Sequence, residues 1–90
     1  MKRQMQRAVE HFGDQELALI YIAKRLTEAL RLESVLTEAG LDYLVEPDKY
    51  MGGTIFRAER VGAFFYVSPG DEGAAKDTLT RGGFHPFADG

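Results

Sequence analysis

Cysteine and tryptophan are absent from this chain, and proline occurs only three times. Without cysteine there is no disulfide framework, no thiol nucleophile and no thiolate metal site. No apolar run approaches the ~20 residues that a membrane-crossing helix needs. The basic start Met1-Lys2-Arg3 leads into no apolar signal core. The expectation is therefore a cytoplasmic protein with no membrane partner. Cationic excess is missing as well. The formal charge is −3, with acidic and basic residues interspersed, which speaks against a nucleic-acid partner. The two histidines, His11 and His85, sit at no metal-ligand spacing, even with Asp14 or Asp89 counted, so they read as surface or packing residues. Ser34 and Ser68 have no histidine at a recognisable spacing, which leaves nucleophilic catalysis unsupported. The chain is expected to be no enzyme and to carry no cofactor.

What is present is the patterning of one small domain. Ninety residues with 44% apolar side chains can build a single modest core. The run Leu17–Ala23 is apolar at every position, as a strand buried on both faces would be. The segment Arg25–Ala39 carries Leu26, Ala29, Leu30, Leu32, Val35, Leu36 and Ala39 on a broad apolar face, which predicts a helix that Gly40 ends. Tyr43 to Val45 reads as an edge strand closed by Pro47, and Asp48–Gly53 as a loop. Thr54–Ala58 reads as a short strand and Glu59–Gly62 as a turn. Ala63–Val67 is again apolar on both faces, so it reads as a second central strand. Ser68-Pro69 opens a helix with Ser68 as N-cap, ended by Gly82-Gly83. Phe84–Phe87 is a short closing segment.

Ahead of these elements, Met5, Ala8, Val9 and Phe12 follow helical spacing, with Gly13 placed to cap. Residues 1–16 are thus expected to form a helical extension and residues 17–90 a single α+β domain. The order β-α-β-β-α fits a ferredoxin-like sandwich. Its antiparallel sheet would have both helices on one face, with Leu17–Ala23 and Ala63–Val67 adjacent and central.

The opening strand Ala18–Ala23, the exit SVLTEAGLDYLVE (Ser34–Glu46) and the stretch YVSPGDEGAAKDTL (Tyr66–Leu79) carry a likeness to a known family. Over Leu17–Leu79 the chain resembles a small bacterial family of prokaryotic signal-transducing proteins with a PII-like fold. The resemblance implies a regulatory or ligand-sensing module without settled catalytic residues. It also implies that any functional loop lies at Pro47–Gly62.

That loop contains the candidate site. Lys49, Gly52, Gly53, Arg57 and Arg60 concentrate cations and glycines in one stretch of an acidic chain. Glycine-freed N–H groups and guanidinium groups could hold a phosphate or carboxylate, although no Walker spacing is present. The first reading is a non-enzymatic regulatory module for a small anionic ligand or a protein partner. The alternative is a structural or adaptor protein acting through self-association. Two helices on one sheet face would leave the other face apolar. Phe64 and Tyr66, or else Phe65, would then be covered by the Lys2–Phe12 helix or by a second copy in a homodimer.

Overall fold

The computed structural model describes residues 12–13, 16–53 and 58–87. In chain order the elements are β1 (Ala18–Ala23), α1 (Leu26–Glu38), β2 (Leu44–Gly52), β3 (Ala58–Val67), a 3₁₀ turn (Pro69–Asp71) and α2 (Glu72–Arg81). They make a small α+β fold with a three-stranded antiparallel sheet in the order β1-β3-β2. Among the described residues no helix is long and apolar enough to cross a membrane.

Both helices lie on one face of the sheet. Ala29, Leu32 and Leu36 of α1 and Ala75 and Leu79 of α2 enclose Ile20, Ala23, Phe65 and Val67 in one core. Each helix ends the same way. Gly40 (φ +74°) and Gly83 (φ +87°) take the left-handed conformation just past the last turn. The following amides turn back: Leu41 N–H donates to Leu36 O at 3.1 Å and Phe84 N–H to Leu79 O at 2.9 Å. This is the Schellman arrangement, with an apolar residue directed inward after each glycine. At the second turn it delivers Phe84 edge-on to Tyr21, with ring centroids 5.5 Å apart.

β1 departs from simple alternation. Leu19 pairs with Tyr66 and Tyr21 with Phe65, so Ile20 is an extra residue with no partner opposite it. Such a bulge shifts the facing of every later side chain by one. Ile20, Tyr21 and Ala23 therefore all belong to the helix-side core, whereas Leu19 and Ile22 share the other face with Tyr66 and Phe64. β3 takes the centre of the sheet. β1, expected to be central too, stands at its end, although its outer side is not bare. The Phe87 amide donates to Ile20 O at 2.7 Å, bringing the closing segment alongside β1.

The stretch expected as loop, short strand and turn is a hairpin. β2 runs through Pro47 to Gly52, and β3 begins at Ala58, so Glu59–Gly62 is strand rather than turn. Pro47 interrupts nothing because β2 is an edge strand whose outer side needs no N–H there. The expected short strand Thr54–Ala58 lies outside the described residues except for Ala58, which opens β3. The expected cap by Ser68 is replaced by a backbone bond, in which Asp71 N–H donates to Ser68 O at 2.9 Å. Of the helix expected over Lys2–Phe12, residues 1–11 lie outside the described ones. Phe12 is helical and buried, and Gly13 has φ +64°.

On the face away from the helices Leu44 and Phe64 are buried. Among the described residues, the large exposed apolar side chains are Leu26, Leu30, Met51 and Val61.

Candidate functional site

The outer half of the β2–β3 hairpin pairs Asp48 with Gly62, Lys49 with Val61, Tyr50 with Arg60, Met51 with Glu59 and Gly52 with Ala58. Strand alternation sets the faces. Tyr50, Gly52, Arg60 and Gly62 share the face away from the helices; Lys49, Met51, Glu59 and Val61 share the other.

Two glycines shape the first of these faces. A Cβ on Gly62 would stand 3.1 Å from Tyr50 Cε1, Ile22 Cγ2 and Ala23 O alike. The missing side chain is thus what lets the Tyr50 ring lean over β3 toward β1. A Cβ on Gly52 would meet Arg60 Cδ at 2.6 Å and Nε at 2.7 Å, so the Arg60 side chain lies across that glycine. Lys24 Nζ lies over the Tyr50 ring, 5.6 Å from its centroid. That is within cation–π range. Beside this group opens a cleft of about 390 Å³, lined by Tyr21, Ile22, Lys24, Tyr50, Met51, His85 and Phe87. Carboxylates lie farther along the same face. Glu46 and Asp48 stand near Tyr66, whose pKa is raised by burial first and then by these two charges.

The start of α1 fixes the position of Lys24. Glu28 reaches back over the first turn, accepting from Lys24 N–H at 2.9 Å through Oε1 and from the Tyr21 hydroxyl at 2.7 Å through Oε2. This satisfies an amide at the helix start and places a negative charge at the positive end of the dipole. Burial opposes ionisation of Glu28. The Tyr21 and Lys24 hydrogen bonds and the charges of Lys24 and Arg25 outweigh it and hold the carboxyl below its usual range. Burial and the bond to Glu28 push Tyr21 up to about 12. In the core, Tyr43 donates to Glu33 Oε1 at 3.3 Å, and burial raises its pKa.

Of the five residues singled out in the sequence, Gly52 and Arg60 come together. Lys49 lies on the opposite face, where its Nζ is 3.5 Å from Glu59 Oε1, both side chains being well exposed. Gly53 follows the end of β2 with φ +94°. Arg57 lies outside the described residues. Tyr50, Lys24, Gly62 and His85 were not singled out as site residues. The available signal was Gly62, because a glycine beside a strongly apolar strand marks close approach of another group. Among the described residues no three His, Asp or Glu side chains gather as a metal group.

No family model matches this sequence, and no curated protein and no solved structure matches it.

Proposed function

We propose that this chain is a non-enzymatic regulatory module that binds a small anionic ligand in the cleft beside Tyr50. The observation that carries the reading is the seating of the Tyr50 ring on Gly62, with Lys24 Nζ over the ring and the Arg60 side chain across neighbouring Gly52. An aromatic wall with cationic neighbours suits a ligand that combines a flat or apolar body with a phosphate or carboxylate. Lys24, Tyr50 and His85 line this cleft, and Gly52 and Arg60 border the Tyr50 ring beside it. Tyr21 and Glu28 bond to each other and Tyr43 bonds to Glu33, so these groups are committed to holding the fold.

The framework is read as a ferredoxin-like, PII-like sandwich. The order β1-β3-β2, with the closing segment bonded to the outer side of β1, fits a split βαβ arrangement whose fourth strand flanks the first. A second reading, self-association as the main activity, is favoured by the exposed Leu26, Leu30, Met51 and Val61.

A thermal-shift series with nucleotides, inorganic phosphate and aromatic and aliphatic carboxylates tests the first reading. A ligand raises the melting temperature by mass action. The expected result is a rise with at least one anionic class that disappears in Lys24→Ala and in Tyr50→Ala. No rise with any class, or a rise that survives both substitutions, overturns it.

A further inference from the structure

Among the described residues, the helix layer leaves a place over the sheet unfilled. Between the start of α1 and the outer hairpin runs an apolar groove of about 300 Å³, lined chiefly by Leu26, Ala29, Val45, Pro47, Val61 and Ala63. Leu26 is 75% exposed and Val61 65% exposed, on opposite walls of this groove. Leu30, one turn beyond Leu26 on the same flank of α1, is 54% exposed. Leu26, Leu30, Glu33 and Thr37 follow the alternating four- and three-residue spacing that aligns side chains along one helix flank. A stripe of this kind is ordinarily packed against something.

We infer that the occupant of this groove is the α1 flank of a second copy of this chain, paired antiparallel about a two-fold axis. Charge complementarity within α1 itself points to the copy. Lys24 and Arg25 stand just ahead of the helix and Arg31 at its middle, against Glu28 in the first turn, whereas the second half carries Glu33 and Glu38 with no basic residue in its last turn. Antiparallel pairing sets the basic start of each helix against the acidic half of the other, and the two macrodipoles oppose favourably. Leu26 and Leu30 of one copy then cover Val61, Val45 and Ala29 of the other. The same contacts are made twice, as a two-fold requires. Pairing through the free edge of β2 is the weaker alternative. Pro47 offers no N–H there, and Glu46, Asp48 and Lys49 crowd that edge with charge. This inference rests on the self-association reading; the groove shares Lys24 with the ligand cleft, which is otherwise built around Tyr50 on the other face.

Sedimentation equilibrium of the full chain at 1–100 µM, a range spanning roughly −8.2 to −5.5 kcal/mol of association, tests it. A wild-type dimer is expected, with Leu26→Lys and Leu30→Lys each weakening it at least about tenfold, as for a hot-spot contact. Both positions are exposed, so circular dichroism should show the variants folded. Arg25→Glu and Glu38→Arg, both at exposed positions, should each weaken the homodimer by charge repulsion. Mixed one to one, they should associate more tightly than either alone, because both cross-contacts become attractive. A wild-type monomer throughout the range overturns the self-association reading and this interface with it. A wild-type dimer indifferent to both leucine substitutions, or a mixture no tighter than its components, overturns this interface alone.

Discussion

Tyr50 on β2 lies over Gly62 on β3, so close that a single methyl group at residue 62 would contact its ring at 3.1 Å. The same methyl group would meet the Ala23 carbonyl, which is backbone and cannot swing aside. Gly62 is buried in the sheet. Gly62→Ala should therefore destabilise the fold by about 1–3 kcal/mol, the range for overpacking a filled site. Urea unfolding measures this, and the near-ultraviolet tyrosine signal should change as the Tyr50 ring is displaced. A neutral substitution would mean that the ring is not seated as described.

The Tyr21–Glu28 bond ties β1 to the first turn of α1 and should give stability a defined pH dependence. Tyr21 has its folded pKa raised from 10.0 to about 12. Its contribution is fully present below pH 10 and is lost as the pH rises toward 12. Glu28 is depressed below its ordinary 4.5, so its contribution is present above that value and is lost as the pH falls through the folded value. Tyr21→Phe should cost about 1 kcal/mol at neutral pH and flatten the alkaline limb of a pH–stability profile. An unchanged alkaline limb would contradict this assignment.

The Lys49–Glu59 pair is exposed on both sides, so it should contribute little. Lys49→Ala is expected to change unfolding free energy by no more than about 0.5 kcal/mol, because solvent and salt screen such pairs. Leu36→Ala, at a fully buried position against the sheet, should cost about 2–5 kcal/mol in the same urea series. An inverted ranking would mean that the hairpin, not the helix-side core, dominates stability.

The sequence was legible where one local rule decided the outcome. Gly40 and Gly83 end the helices because only a residue tolerant of positive φ closes those turns, and the apolar face of α1 placed Leu32 and Leu36 in the core. It was misleading where tertiary context reversed a local signal. Pro47 reads as a strand terminator but sits harmlessly on an edge strand. Gly62 reads as a turn, yet its small size serves packing in the central strand. Ile20 bulges, which no alternation pattern in an all-apolar run can reveal. The candidate site was half legible for the same reason. Gly52 and Arg60 are near in sequence and meet through hairpin register, whereas Lys49 falls on the wrong parity and Lys24 arrives from another strand end.

The most direct measurement is a ¹⁵N–¹H chemical-shift titration of the full chain with nucleoside monophosphates, benzoate and inorganic phosphate. Saturable shifts at Lys24, Tyr50, Gly52, Arg60, Gly62 and His85 are the expected result, absent in Tyr50→Ala. No saturable response to any of these anions, or shifts centred on Leu26 and Val61 instead, would contradict a binding site built around Tyr50.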